Sequence, residues 1–115
     1  MSGFLTTHVL DTAAGVPAAG MQVDLFRLSE DGGRQHLASM MTNDDGRTDS
    51  PILPSGQFAT GQYELVFQAG AYFARDEAIS FLADIPIRFG INDAMSHYHV
   101  PLLVSPFGYA TYRGS

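Results

Sequence analysis

Hydrophobic and polar residues alternate along several short stretches of the chain. Between Met21 and Leu28 the first three odd-numbered residues are apolar and the fourth is Arg27, and the odd-numbered residues from 63 to 67 are also apolar. Such alternation is typical of a strand with one buried face. Glycine, proline and aspartate turn signals separate these stretches. The pattern predicts strands over residues 4–11, 21–28, 35–42, 62–68, 85–91, 97–104 and 109–113.

Residues 75–83 depart from this pattern. They contain good helix formers with acidic residues near the start, and Ile79 and Leu82 fall three apart, on one helical face. We expect a short helix there, with Pro86 preventing its continuation. Seven or eight short strands with one small helix indicate an all-β antiparallel sandwich. The 115 residues suffice for one domain, spanning 1–115.

Composition excludes several classes of function. The chain has no cysteine, and its six cationic residues are all arginine, so thiol catalysis, cysteine-ligated metals and Schiff-base chemistry are ruled out. The net charge of −6, without a basic stripe, argues against nucleic acid and membrane partners. The first residues show no cationic segment followed by an apolar run, so we expect no signal peptide and a cytoplasmic location.

Four histidines are the first candidates for chemistry. His97 and His99 lie two apart in a predicted strand, so their side chains point to one face. Together with His8 they could bind zinc through three nitrogens, although so short a pattern is common by chance, and we predict no metal site. Taken alone, His8 is as well explained by a partly buried, hydrogen-bonded histidine. His36 is expected at the surface.

Arg47 and the end of the chain are the remaining candidates. Arg47 follows a turn in which Asn43 caps the backbone and Gly46 supplies a positive φ. Its guanidinium is a planar, two-pronged donor suited to a carboxylate or to a flat ring with carbonyl oxygens. The terminal segment Tyr112–Ser115 follows directly on a strand. A frayed tail is the default expectation, and packing into an interface is the alternative.

Three groups of residues resemble the motifs of one family, the transthyretin-like proteins that include the 5-hydroxyisourate hydrolases of purine breakdown. The resemblance covers nearly the whole chain, with the motifs in the right order. The ending Tyr-Arg-Gly-Ser is the most specific, because it resembles the hydrolase branch rather than the hormone-carrying transthyretins. The motifs are Leu5-Thr-Thr-His8-Val-Leu-Asp11 with Gly15-Val-Pro17-Ala18, then Thr42-Asn-Asp-Asp-Gly-Arg47, and finally His97-Tyr-His99-Val-Pro-Leu-Leu103 with Ser105-Pro-Phe-Gly-Tyr109 and Tyr112-Arg-Gly-Ser115.

This resemblance implies both an architecture and a site. The fold would be a sandwich of two four-stranded sheets with one short helix. Four copies would form a dimer of dimers, with active sites in the channel between dimers. By motif position, His8, Arg47 and His99 would be catalytic. His8, Arg47 and Tyr112 would bind substrate, and the residues in supporting roles would be His97, Arg113 and Ser115.

The implied activity is hydrolysis of 5-hydroxyisourate to 2-oxo-4-hydroxy-4-carboxy-5-ureidoimidazoline in urate degradation, without a cofactor. A neutral histidine can take a proton from water as the water attacks a ring amide carbonyl. Arg47 would disfavour imidazolium and stabilise the negative charge of the tetrahedral intermediate. Which of His8 and His99 is the direct base stays open at this point.

Three other functions compete with hydrolysis by a metal-free site. The chain could be a purely structural β-sandwich, since its Gly-x-Pro and Asp-Gly turns resemble those of many extracellular and regulatory β-modules. A transthyretin-like channel could bind a small ligand without turnover, although His8, His99 and Arg47 are polar for an apolar ligand. A metallohydrolase could use the three histidines, and its turnover would then be sensitive to a chelator.

Overall fold

Two four-stranded sheets face each other in the computed structural model, which describes residues 3–74 and 79–114. The strands are β1 (Phe4–Asp11), β2 (Val16–Pro17), β3 (Gln22–Leu28), β4 (Arg34–Met41), β5 (Gly61–Phe67), β6 (Ile85–Ile91), β7 (His97–Ser105) and β8 (Gly108–Thr111), and the helix α1 is Ala69–Phe73. The first sheet has the strand order β2-β1-β7-β8 and the second β4-β3-β5-β6. A 3₁₀ turn covers Ser55–Gln57.

The two-sheet sandwich predicted from the sequence is confirmed. All seven predicted strands are present, with ends displaced by no more than two residues, and β2 adds an eighth strand where a turn was expected. The apolar odd-numbered residues of β3 and β5, together with Met21, are at most 1 % exposed. Each such side chain contributes about 1.5–3 kcal/mol by leaving water, so the alternation orients both strands toward a common core.

One strand pair departs from the predicted antiparallel arrangement. Strands β1 and β7 run parallel, in a register that places Phe4 opposite His97 and Thr6 opposite His99. A parallel pair needs a long connection, and these strands come from opposite ends of the chain, so no hairpin constrains their direction. The consequence for the site is direct, because the histidines of β7 lie beside the start of β1.

The inner and outer faces of the first sheet carry different chemistry. Leu5 and Val9 of β1 and Leu102 and Val104 of β7 are buried against the second sheet. The alternate residues Thr6 and His8 of β1, and the two histidines of β7, therefore lie on the outer face. This face holds His8, His97 and His99.

The helix predicted over 75–83 is wrong in position. The helix lies earlier, at Ala69–Phe73. Residues 75–78 lie outside the described residues, and residues 79–83 are not helical. The Tyr72 hydroxyl donates to the Asp11 carboxylate at 2.9 Å, which joins α1 to the end of β1.

Side-chain burial explains why residues 79–83 do not form a helix. The two apolar residues that suggested a helical face do not share one environment, since Ile79 is 86 % exposed whereas Leu82 packs against the core. The backbone finds partners elsewhere, because Ala83 O accepts a hydrogen bond from Gly70 N at 3.0 Å. The Ser80 hydroxyl donates to Leu82 O at 2.7 Å and closes a local turn. A short helix needs such packing, because its first turn is costly to nucleate.

None of the helices found in residues 3–74 and 79–114 has the length and apolar character needed to cross a bilayer.

Candidate active site

The outer face of the first sheet brings two histidines together through one threonine. Thr6 Oγ1 lies 2.6 Å from His97 Nε2 and 2.7 Å from His99 Nδ1. The prediction that His97 and His99 share a face is therefore confirmed. The Phe4 ring stacks on His97 with 4.2 Å between centroids and an interplanar angle of 14°. Strand β1 thus supports both histidines of β7.

The turn at residues 43–47 positions Arg47 beside β1. The Asn43 side-chain oxygen accepts hydrogen bonds from the backbone N–H of Asp45 at 2.9 Å and of Arg47 at 3.2 Å. Gly46 has a φ of 76°, as expected, and its carbonyl accepts a hydrogen bond from Val9 N at 2.8 Å. Next to this bond, Arg47 and His8 form an isolated antiparallel bridge.

The Arg47 guanidinium keeps its charge available for a ligand. In the part of the chain that the structure describes, the ion pairs are those of Arg34 and Arg88 with Glu64. Arg47 is exposed and forms none there. An exposed guanidinium without a carboxylate partner can donate two parallel hydrogen bonds to carbonyl oxygens or to a developing negative charge.

A pocket of about 350 Å³ lies at the meeting point of these elements. It is lined by Thr6 and Thr7 of β1, by residues 47–51, and by His97 and His99 of β7. Hydroxyl, imidazole, guanidinium and carboxylate side chains line this wall beside Pro51, so the pocket can bind a polar ligand that offers several carbonyl oxygens. The His8 side chain lies on the same sheet face, beside the lining residues and not among them.

The electrostatics of the site favour neutral histidines. Burial lowers the pKa of His99 below its usual value, and the positive charge of Arg47 lowers it further, followed by His97 and His8. Burial also lowers the pKa of His8, again with help from Arg47, while Asp45 acts in the opposite direction. A histidine whose pKa lies below about 6.5 is a free base at neutral pH.

The end of the chain packs against His99. Gly114 N donates to His99 O at 2.7 Å, and the two residues form an isolated bridge. A Cβ atom on Gly114 would lie 2.5 Å from His99 Cδ2, closer than carbon atoms normally approach. Only a glycine fits there without displacing the ring or the backbone. Ser115, predicted to support the site, lies outside the described residues.

Tyr112 and Arg113 do not line this pocket within one chain. They line a second groove of about 190 Å³ near the β6 and β8 edges of the two sheets. The Arg113 guanidinium carbon lies 4.0 Å from the centroid of the Tyr98 ring, a cation–π contact. Tyr112 is 60 % exposed. The structure therefore brings together Arg47, His97 and His99, with His8 adjacent, and leaves Tyr112 and Arg113 apart from them.

Two residues of the site were missed in the sequence. Thr6 lies two positions before His8, so strand alternation already placed it on the histidine face, but its contact with His97 and His99 depends on the β1–β7 register. Gly114 was noted only as part of the terminal motif. His36 lies on β4 in the other sheet, exposed, with Nε2 2.7 Å from Ser39 Oγ, and its prediction as a surface residue is confirmed.

The three-histidine zinc alternative has no geometric support. Across residues 3–74 and 79–114, no three histidine, aspartate or glutamate side chains converge in a metal-ligating arrangement.

Comparison with known proteins gives consistent matches over the full chain. Residues 5–114 match the sequence model of the HIUase/Transthyretin family. The chain is 57 % identical to the protein named 5-hydroxyisourate hydrolase 2 of Rhizobium meliloti, over 99 % of this chain and 98 % of that protein. It is 55 % identical to the 5-hydroxyisourate hydrolase of Halalkalibacterium halodurans, over the whole of both chains.

Solved structures show the same fold. The 5-hydroxyisourate hydrolase of Klebsiella pneumoniae superimposes with a TM-score of 0.82 at 36 % identity, over 98 % of this chain and 99 % of that one. The transthyretin of Sparus aurata gives a TM-score of 0.87 at 27 % identity, over 96 % and 95 %. A crystal structure of (S)-allantoin synthase gives 0.89 at 48 % identity, with this chain matching 99 % of its own length and 44 % of that chain.

Proposed function

Because the chain belongs to the HIUase/Transthyretin family, we propose that it is a 5-hydroxyisourate hydrolase of urate degradation. It opens a ring amide of its substrate to give 2-oxo-4-hydroxy-4-carboxy-5-ureidoimidazoline. The observation that carries this proposal is the meeting of an exposed Arg47 with His99, whose pKa is lowered, at one pocket. The matches to two bacterial hydrolases along the whole chain support it.

The pocket suits the substrate in size and in chemistry. A volume of about 350 Å³ falls within the range of small-molecule sites, roughly 300–1,000 Å³. The substrate is a flat, oxidised purine rich in carbonyl oxygens, and the Arg47 guanidinium supplies hydrogen-bond donors for them. Arg47 holds the ring by two parallel hydrogen bonds and so limits its orientation relative to the histidines.

A neutral histidine activates the water. Water is a weak nucleophile, so a base within hydrogen-bond reach removes a proton as the oxygen attacks the carbonyl carbon. His99 and His8 are both suited to this role, because burial and Arg47 lower their pKa values. The carbonyl oxygen gains negative charge as the tetrahedral intermediate forms, and Arg47 stabilises it. The protonated histidine then returns the proton to the ring nitrogen as the C–N bond breaks.

We place the working site in an assembly of four copies, a dimer of dimers. The histidines lie on the outer face of the first sheet, so a second dimer covering that face would enclose the pocket and exclude water. Tyr112, 60 % exposed and outside its own chain's pocket, is then available to bind substrate at a dimer–dimer interface. Light scattering after size-exclusion chromatography tests this, since a catalytically competent monomer would contradict it.

We also propose the other features that the resemblance implies. Arg113 and Ser115 support the site, Tyr112 contacts the substrate ring, and the reaction needs no cofactor. Residues 1–115 form one domain, and its location is cytoplasmic.

The decay of freshly generated 5-hydroxyisourate, followed by ultraviolet absorbance, tests the function. The substrate also decays unaided, so rates with and without untagged protein are compared. We expect acceleration that a chelator leaves unchanged. Acceleration abolished by the chelator would favour a metallohydrolase. Binding of the substrate or of another flat ligand without acceleration would favour a transthyretin-like binding protein.

A further inference from the structure

The Thr6 hydroxyl sits between two imidazole rings and contacts a nitrogen of each. Its Oγ1 lies 2.6 Å from His97 Nε2 and 2.7 Å from His99 Nδ1. A hydroxyl has one hydrogen to donate and lone pairs to accept with. When both rings are neutral, Thr6 can donate to only one of them, so at least one ring donates its N–H to the Thr6 oxygen. The protonation patterns of the two histidines are coupled through this single oxygen.

We propose that Thr6 is a positioning residue that holds His99 in the tautomer protonated at Nδ1, so that Nε2 is the base. The inference rests on the proposed hydrolase function and deepens it, because it selects His99 and one of its nitrogens. In this arrangement His99 Nδ1–H donates to Thr6 Oγ1, and the Thr6 hydroxyl donates to His97 Nε2. In a neutral histidine only one ring nitrogen bears a proton, and the hydrogen-bond partner of one nitrogen decides whether the other is protonated.

The packing around His99 leaves Nε2 as the nitrogen that can meet a substrate water. Thr6 occupies Nδ1, and Gly114 packs so closely on the Cδ2 side that a Cβ there would lie 2.5 Å from the ring. In the described residues no hydrogen-bond partner contacts Nε2. The positive charge of Arg47, close enough to lower the pKa of His99, favours a lone pair on that nitrogen over an N–H dipole.

His97 is suited to be the last acceptor in the series of hydrogen bonds that runs from His99 through Thr6. His97 is exposed, so its Nδ1 can donate to water while Nε2 accepts from Thr6. Its ring is held in place by stacking on Phe4, with centroids 4.2 Å apart. The opposite direction, with Thr6 donating to His99, would leave His99 Nε2 protonated and unable to take a proton.

Thr6 keeps its hydroxyl hydrogen during the reaction, because the proton of the attacking water passes only through His99. As water attacks, its proton moves to His99 Nε2 and gives an imidazolium. The Nδ1–H of that imidazolium still donates to Thr6 Oγ1, now as a charge-assisted and stronger bond. When the ring C–N bond breaks, Nε2–H gives its proton to the leaving nitrogen. The hydroxyl hydrogen of Thr6 stays directed at His97 throughout.

The test begins with the tautomers, which need no substrate. Nitrogen-15 NMR of histidine-labelled protein, at a pH well above the usual histidine pKa of about 6.5, distinguishes a protonated from an unprotonated ring nitrogen. We expect His99 to be protonated at Nδ1 in the wild-type protein and in Thr6→Ser. In Thr6→Val, which keeps the shape and loses the hydroxyl, we expect the Nε2–H form to gain population. A wild-type His99 protonated at Nε2 would overturn the proposal.

Kinetics provide the second readout. Loss of a hydrogen bond to a group that becomes charged should lower kcat/KM of Thr6→Val about 10- to 100-fold, through kcat rather than KM. Thr6→Ser should restore most of it. Thr12→Val is the matched control, because the Thr12 hydroxyl also donates to β7, at Val104 O, but far from the histidines. Unchanged tautomer and turnover in a folded Thr6→Val would refute the role.

A second variant serves if Thr6→Val does not fold. His97→Phe keeps an aromatic ring beside Phe4 and removes the acceptor of the Thr6 hydrogen, which is then free to be donated to His99 Nδ1. We expect the Nε2–H form of His99 to increase and kcat to fall, and no change in either would contradict the proposal. If the wild-type protein shows the expected tautomer but does not hydrolyse 5-hydroxyisourate, the proposed function fails and the tautomer assignment stands.

Discussion

Replacing Gly114 by alanine tests whether the end of the chain fixes the His99 ring. Gly114 does not have a positive φ, so alanine carries no backbone penalty and adds only a methyl group. That methyl carbon would lie 2.5 Å from His99 Cδ2 and 3.2 Å from Cγ. Carbon atoms pack best at about 3.5–4.0 Å, so the contact is too short by roughly 1 Å.

The size of the effect follows from what must move. The His99 ring is held by Thr6 on its other side, 2.7 Å from Nδ1, so a shift of the ring disturbs the proposed base directly. A misplacement of about 1 Å in a reacting group can cost about 10²-fold in rate. We therefore expect kcat/KM for 5-hydroxyisourate to fall by about that factor. Thermal stability should change little, because the three atoms nearest to the added methyl all belong to the partly exposed His99 side chain and not to the core.

The matched control for this substitution is Gly108→Ala. Gly108 begins the neighbouring strand β8, and an added Cβ there would have no atom within 4 Å. Its turnover in the ultraviolet assay should equal that of the wild-type protein. If Gly114→Ala also keeps wild-type turnover, then either the terminal backbone yields instead of the ring or the ring position is unimportant. Either result refutes the reasoning.

Four further predictions follow from the structure. Arg47→Ala should lower kcat/KM by about 10²–10³-fold while leaving Tm nearly unchanged. Arg47→Lys should keep part of the activity, because a lysine keeps the charge without the two-pronged geometry. Wild-type turnover in Arg47→Ala would refute the role of this residue. The acid limb of the kcat/KM profile should lie below about pH 6.5 and move upward in Arg47→Ala. An acid limb at higher pH would contradict this. Because the pKa values of His8 and His99 are lowered by folding, the folded protein binds fewer protons than the unfolded chain, so their contribution to the unfolding free energy falls as pH drops below about 6.5 and is constant above it. An unfolding free energy that rises on acidification through this range would contradict the third prediction. In chemical denaturation, Gly46→Ala should lower the unfolding free energy by about 2–5 kcal/mol, because the cost of its positive φ adds to a clash with Val9 O. Gly32 has a φ of 88° and open space around it, so Gly32→Ala should lose only about 1–2 kcal/mol. Equal losses in the two variants would rule out the clash.

The sandwich was predictable because alternation is a local signal that burial enforces. Every second residue from Met21 to Leu25 and from Tyr63 to Phe67 is buried, as the pattern required. The helix was misplaced because helix propensity over a few residues is weak compared with packing. Ile79 suggested a buried face in the sequence and is 86 % exposed in the structure.

The site was predictable residue by residue but not in its connections. Strand parity placed His97 and His99 on one face, and motif resemblance singled out His8 and Arg47. Neither signal says which strand lies beside β7, so the contact between Thr6 and both rings could not be found. Long-range register depends on the whole packing of the sandwich. For the same reason the sequence did not separate Tyr112 from the pocket of its own chain.

The most direct test of the account compares initial rates of 5-hydroxyisourate decay for the wild-type protein and for the variants His8→Ala, Arg47→Ala and His99→Ala. Circular dichroism and light scattering first establish that each variant keeps the fold and the assembly of the wild type. We predict that the wild-type protein accelerates the decay well beyond the unaided rate and that each variant loses most of this acceleration. A wild-type protein that leaves the decay rate unchanged, or variants that retain it, would contradict the assignment of the reaction to this pocket.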